Sequence, residues 1–264
     1  MATNVPAVSS AVRILEFLAQ EWPESVAPAR LVNELQLNRS TCYNIIGVLE
    51  QAGWVIGREN GPGWTLGPKL LVLTGVTDNV KNEIAQQEIE ALSAELGFVV
   101  FVADKEKSGD YRTVAVAEQT SGVRITVSVG DLFPFSAPAL MRAFYAWTSE
   151  TEFNRVVKER GLEKFTEKSI TTLAELRKVL AVVRRKGYAE SIQEFNMAQG
   201  GVAAPIFDSK GRVRQVICSL AFSSQLDSSN VESVGVAIRR CAQAITRRSG
   251  GVAPIDSNTS KAGQ

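Results

Sequence analysis

The residues best placed for chemistry lie in one short stretch, Asn38 to Gly53, and the chemistry they suit is hydrogen bonding to nucleic acid. Arg39, Ser40, Thr41, Tyr43 and Asn44 crowd its first turns, while Cys42, Ile45, Ile46, Leu49 and Ala52 recur at helical spacing. A helix that buries the apolar stripe turns Arg39, Ser40, Tyr43, Asn44 and Gly47 outward. Such side chains donate to phosphates, arginine and asparagine also read base edges, and a glycine permits close approach. Asn38 suits the helix start, where its oxygen accepts from a free backbone N–H. Gly53 suits its end, in a left-handed conformation.

Catalytic chemistry finds less material. The chain has no histidine, so the commonest general base, Ser-His-Asp and Cys-His triads and histidine-containing zinc sites are all excluded. Its three cysteines, Cys42, Cys218 and Cys241, are far apart, show no CxxC spacing and read as free thiols. No pair of carboxylates stands at a telling spacing. No catalytic residue, metal or cofactor is expected.

The elements that must position the polar helix are legible around it. Pro28 opens a preceding helix with Leu31, Val32 and Leu35 inward, and Val8 to Gln20 forms an earlier one with Ala11, Ile14, Leu15 and Leu18 inward. Trp54-Val55-Ile56 reads as a strand, Asn60-Gly61-Pro62-Gly63 as a turn, and Trp64-Thr65-Leu66 as the returning strand. A helix-turn-helix followed by a two-stranded wing makes a winged domain, with Arg58 near the wing tip in reach of a phosphate or the minor groove. One feature points the other way. Residues 1–68 hold four arginines and six glutamates, a net charge of −2 where a DNA-binding module usually carries a basic surplus. The same head would also serve as a protein-docking device.

The remaining chain changes character. At 264 residues and 45% apolar composition, two ordinary globular domains fit. No run is apolar enough to span a bilayer and no secretory signal opens the chain, which makes the cytoplasm the expected location. Residues 69 to 97 read as a long helical stretch, broken near Gly75 to Thr77, with Val80, Ile84, Ile89, Leu92 and Leu96 on one side. That helix suits a dimer contact, packing on its own sheet, or both. Strands are expected at 98–104, 112–116, 123–129, 187–195, 201–208 and 213–222, with helices at 137–147, 151–160 and 172–186. Ser209-Lys210-Gly211 turns the last hairpin, and Ser228 or Ser229 caps a final helix to about Arg248. The expected class is α+β with a mostly antiparallel sheet. Arg184, Arg185 and Lys186 read as complement to a helix dipole and as a solvated face.

Several motifs in this order carry a resemblance. They are SSAVRILEFLA (9–19), LNRSTCYNIIGVLEQAGWV (37–55), WTLGPKLLVL (64–73), GDLFPFSAPALMRAFYAW (130–147), VRRKGYAESIQEF (183–195) and GGVAAPIFDSKGRV (200–213). Together they resemble the IclR family of bacterial transcription regulators, over residues 8 to about 249. The resemblance implies a winged helix-turn-helix DNA-binding domain at 1–75, a linker helix at 76–97, a GAF-like α/β effector domain at 98–250 and a disordered tail at 251–264. It further implies a homodimer or tetramer on double-stranded operator DNA, acting more often as a repressor, under control of a small organic effector. The DNA contacts it implies are Arg39, Ser40, Thr41, Tyr43, Asn44 and Arg58. The effector contacts it implies are Ser136, Met141, Ser191, Glu194, Gly201, Ala203, Cys218 and Leu220. The alternative is a metabolite-binding module or enzyme with a helical docking head.

The departures from the family pattern bear on ligand chemistry. Ser136 stands where histidine is frequent, Met141 where glycine is, Ser191 where an acid is, and Cys218 and Leu220 where serines are. Losing those polar anchors implies a less polar pocket, suited to a larger or aromatic acid or already filled by side chains. Asn44 stands where many relatives carry arginine, so it either favours adenine over guanine or merely touches a phosphate.

Overall fold

The computed structural model describes residues 5–57, 63–118 and 123–254. The chain divides into two compact units, Met1–Val80 and Lys81–Gln264.

The first unit is three helices and a two-stranded wing. Helix α1 spans Pro6–Glu21, α2 Pro28–Leu35 and α3 Arg39–Gln51. Strands β1 (Val55–Gly57) and β2 (Trp64–Leu66) pair antiparallel. Helix α1 begins earlier than the periodicity suggests because Pro6 takes a first-turn position, where no N–H is needed. Ile14, Leu18, Leu31, Leu35, Cys42, Ile46 and Val55 form one core. Ala52, expected on the buried stripe, is exposed, because α3 has already ended and Ala52 is its cap. Gly53 (φ +78°) then reverses the chain. Gly67 closes the wing against this turn: a Cβ there would lie 2.3 Å from the Gly53 carbonyl oxygen, so no larger residue fits.

Helix α4 runs from Lys69 to Leu96 without the break expected near Gly75, and the division between units falls within it. The second unit is built on a six-stranded sheet of order β5-β4-β3-β8-β7-β6, antiparallel throughout, as the α+β expectation required. Its strands are β3 (Val99–Lys105), β4 (Tyr111–Ala117), β5 (Leu132–Phe133), β6 (Ala189–Ile192), β7 (Gln199–Phe207) and β8 (Val213–Phe222). The helices are α5 (Pro138–Tyr145), α6 (Glu150–Arg160), α7 (Leu173–Lys186) and α8 (Val231–Arg248).

The unbroken apolar run of β3 has a simple cause: both faces of the sheet are covered. Val99, Phe101 and Ala103 join the core that contains α5 and α7. Val100 and Val102 join the core that contains α8 and Ala85, Ile89 and Leu92 of α4. The second half of α4 therefore packs on its own sheet, while Val80, expected on the same stripe, is exposed.

Two expectations fail here for identifiable reasons. Residues 123–129 alternate like a strand but form none. The outer edge of β4 is already taken. Thr113 bonds Gly130 and Asp131, Tyr111 and Arg112 pair with Phe133 and Leu132, and the Gln86 amide donates to the Val116 carbonyl. Val127 is buried by side-chain packing alone. The final helix starts after Asn230, which makes no side-chain cap bond, rather than after a serine, and Ser229 bonds Asp227 instead. Of the tail, Gly251 and Val252 donate to the carbonyls of Thr246 and Asp208, and residues 255–264 lie outside the described residues. Among the described residues no helix is long and apolar enough to cross a membrane.

Candidate nucleic-acid interface and ligand pocket

In the first unit the start of α3 is tightly defined. Gln36 adopts a left-handed conformation (φ 52°), which turns the chain between α2 and α3. The Asn38 carboxamide oxygen accepts from the Ser40 N–H at 3.0 Å and from the Ser40 hydroxyl at 2.8 Å. That cap fixes the first turn and commits the Ser40 hydrogen, leaving the hydroxyl oxygen as an acceptor. Arg39, Ser40, Tyr43, Asn44 and Gly47 are all exposed, as the stripe predicted, and Thr41 is exposed as well. Arg58 lies outside the described residues.

Tyr43 is not a free reader. Its ring meets Trp64 of β2 edge-on at 5.4 Å, and the Arg39 guanidinium lies 5.8 Å from its centroid. Tyr43 thus braces the helix against the wing and carries Arg39 above it. Glu50 acts similarly, accepting from the Gly57 N–H at 3.0 Å. Among the described residues, Asn44 has no partner and projects freely. A Cβ added to Gly47 would touch nothing within 4 Å, so this glycine leaves open space on the outward face. One turn beyond Asn44, Val48 is 66% exposed, on the same side by i, i+4 geometry. The apolar spacing excluded Val48 from the core, and that was the available signal for an outward methyl surface.

In the second unit, four of the eight expected ligand residues share one cavity. Ser191 on β6, Gly201 on β7 and Cys218 and Leu220 on β8 line it, under the first turn of α5. Ser136, Met141 and Ala203 are buried elsewhere in the same core and do not line it. Met141 misses because residues 137–140 already supply the cavity wall, and each helical step rotates a side chain by about 100°. A Cβ on Gly201 would come within 2.9 Å of a Leu220 methyl, so Leu220 lies directly over it. Burial pushes the Cys218 thiol well above its ordinary range, which keeps it protonated.

The cavity is nearly filled. Its volume is about 30 Å³, room for about two waters. Three phenylalanines that sequence reasoning missed, Phe101, Phe133 and Phe195, line it. Phe133 stacks on Phe101 at 5.1 Å with planes 8° apart, and contacts Phe195 at 6.4 Å. Phe195 in turn meets Phe165 at 4.7 Å. Among the described residues, Ser191 and Gln199 are the hydrogen-bonding side chains in the wall, beside the Cys218 thiol.

Glu194 takes a different role from the one expected. It forms a buried ion pair with Arg142 of α5, whose guanidinium also donates to the Glu190 carbonyl at 2.8 Å. The Arg142 side chain is 3% exposed. The pair ties the segment carrying Phe195 to α5. A lone arginine in the otherwise apolar PALMRAFY was the sequence signal for it.

Comparison with known proteins accords with these features. Residues 78–247 match the family model "Bacterial transcriptional regulator IclR C-terminal". The chain is 23% identical over 256 residues to the "Transcriptional repressor IclR" of Escherichia coli (strain K12), covering 94% of this chain and 92% of that protein. It is also 23% identical to the "Acetate operon repressor" of Salmonella typhimurium, over 94% of this chain and 91% of the relative. The crystal structure of an IclR transcriptional regulator from Alicyclobacillus acidocaldarius superposes with a TM-score of 0.61 at 29% identity, covering 94% of this chain and all of that one.

Proposed function

This chain belongs to the IclR family of bacterial transcriptional regulators, and from that membership we propose how it acts: two copies grip an operator through α3 and the wing, and repress until a ligand opens the apolar cavity. It is a regulator and not an enzyme. The observation that carries the reading is the outward start of α3, with Arg39 and Asn44 uncommitted and the helix locked by its Asn38 cap. Asn44 and Val48 face the base edges, where asparagine suits adenine and a valine methyl suits thymine. Arg39 takes a phosphate.

The ligand is a small organic molecule with one aromatic or otherwise apolar body, because the cavity wall offers so little polar surface. A weakly polar acid meets that description better than a compact, highly polar one. It enters by displacing Phe133 and Phe195. Repression as the sign of control follows the names of the relatives, two of which are repressors.

A mobility-shift titration with the DNA upstream of its own gene tests the reading. One uncommitted arginine per head, doubled in a dimer, predicts a salt slope of log K between about −2 and −4, the steeper value including Arg58. No salt-sensitive complex, or no complex at all, overturns DNA binding.

A further inference from the structure

We infer that the second unit carries another ligand site, distinct from the apolar cavity, which takes a small phosphorylated molecule with an apolar body. The site is a cleft of about 150 Å³ where the end of α7 meets α8. Arg184 and Arg185 of α7 and Arg239 of α8 line it beside Trp147 and Phe207.

Three observations favour an anion here. The first is uncompensated charge. Nine of the fourteen arginines in this unit sit in ion pairs. Of the five without a carboxylate partner among the described residues, Arg184, Arg185 and Arg239 converge on this cleft, and Arg214 and Arg247 lie outside it. Lys186 beside them is already matched by Glu190 at 3.3 Å. The second is that complement to the α7 dipole does not account for the cluster. Arg239 comes from another helix, and two of the last α7 carbonyls are already occupied. Val183 accepts from the Gly187 N–H at 2.8 Å, and Lys186 accepts from the Arg239 guanidinium at 2.9 Å. The third is preorganisation. A Cβ at Gly187 would lie 2.6 Å from the Arg239 Cδ, so the glycine is what lets the arginine stem lie across the helix end.

Arginine forks suit phosphoryl oxygens, which accept two parallel bonds. The apolar wall is the Trp147–Phe207 pair, edge-on at 5.4 Å. The recess is bounded by Ala253 and Pro254 and is small and concave, which fits one phosphorylated ring better than the backbone of a duplex.

Calorimetry on the full chain at low salt tests this, with phenyl phosphate, inorganic phosphate and phenylacetate as probes. Phenyl phosphate should bind at submillimolar concentration, about tenfold or more tighter than inorganic phosphate. The exposed pair Arg184→Ala/Arg185→Ala should weaken phenyl phosphate by about tenfold or more and leave phenylacetate unchanged. Phenylacetate in excess should leave the affinity for phenyl phosphate unchanged, which separates this cleft from the cavity, and competition between the two overturns the proposal. Absence of phenyl phosphate binding, equal affinity in the double variant, or equal affinity for inorganic phosphate overturns the proposal. So does a double variant that loses operator affinity uniformly while phenyl phosphate fails to bind, which would assign the cleft to DNA.

Discussion

Removing the Phe133 ring should turn a nearly filled cavity into a roomier one, and the size of the effect follows from what holds the ring in place. Phe133 makes two aromatic contacts, the stack on Phe101 at 5.1 Å and the tilted contact with Phe195 at 6.4 Å. Each such pair contributes about 0.5–1.5 kcal/mol beyond area burial. A ligand that must displace the ring therefore loses about 1–3 kcal/mol, or roughly 5- to 150-fold in apparent affinity. Phe133→Ala removes that cost. Its backbone pairing with Tyr111 is untouched, so β5 remains attached to the sheet. Because the side chain is only half-buried, the stability loss should fall near or below the low end for phenylalanine truncation, about 2–3 kcal/mol. The assay is calorimetric titration of toluene and phenylacetate into wild type and variant, with far-ultraviolet dichroism to confirm the fold. Both ligands should bind the variant 5- to 150-fold more tightly. A folded variant whose affinity for both equals that of wild type refutes the idea that this ring closes the site. Phe195→Ala, which removes the other half of the plug, gives an independent second reading.

The other predictions concern different parts of the molecule. Asn44→Ala should weaken operator binding by about 1–3 kcal/mol and relax one operator position; a uniform loss across sequences assigns Asn44 to a phosphate instead. Glu194→Ala leaves the Arg142 guanidinium buried without its counter-charge and should cost about 3–5 kcal/mol in urea denaturation. The double change Arg142→Met/Glu194→Leu should cost less than either single change, and additive losses would contradict the pairing. Burial, aided by Glu88, pushes the Cys241 thiol from an ordinary 9.0 up to about 12, and burial raises Cys218 as well. The folded state holds these protons longer, so the stabilisation is complete below pH 9.0 and is lost as the pH rises above it, up to about 12 for Cys241, by up to about 1.4 kcal/mol per pH unit per thiol. Urea midpoints of wild type should thus fall more steeply above pH 9.0 than those of Cys218→Ala/Cys241→Ala, and parallel profiles would rule this out.

What could be read from the sequence depended on whether the information was local. Helices α2 and α3 were legible because capping, glycine and apolar spacing are encoded within a few residues of each position. The same holds for α6 and α7, where Ser149 and Thr172 accept from the N–H three residues on. Residues 123–129 misled because alternation records which side chains are buried, not which neighbour supplies hydrogen bonds. Val127 obeyed the burial half of that rule while β4 gave its edge to Gly130–Phe133. The expected ligand residues divided along the same line. Ser191, Gly201, Cys218 and Leu220 belong to adjacent strands with fixed alternation, so they reach one cavity together. Met141 and Glu194 depend on helix rotation and on a partner 52 residues away, neither of which a motif records. Phe133, Phe165 and Phe195 meet only because a curled sheet brings distant segments together, and no pattern in the chain announces it.

The charge of the first unit shows the same distinction acting on function. Taken as a sum, six glutamates against four arginines speak against DNA. Taken residue by residue, the sum loses its force. Glu21 is spent on Arg30, through two contacts of 2.8 Å, and Glu50 is spent on the wing backbone. Arg13 donates to the Leu35 carbonyl at 2.7 Å, inside the helical frame. Arg39, held over Tyr43, is the described arginine left uncommitted, and it stands at the start of the polar helix. Counterion release depends on the cations that reach phosphates and not on the domain total. A head of this kind gains little from long-range attraction. On the proposed reading its grip comes from directed contacts by Arg39, Asn44 and the amide end of α3, which predicts modest affinity for arbitrary DNA and tighter binding to sequences that satisfy those contacts.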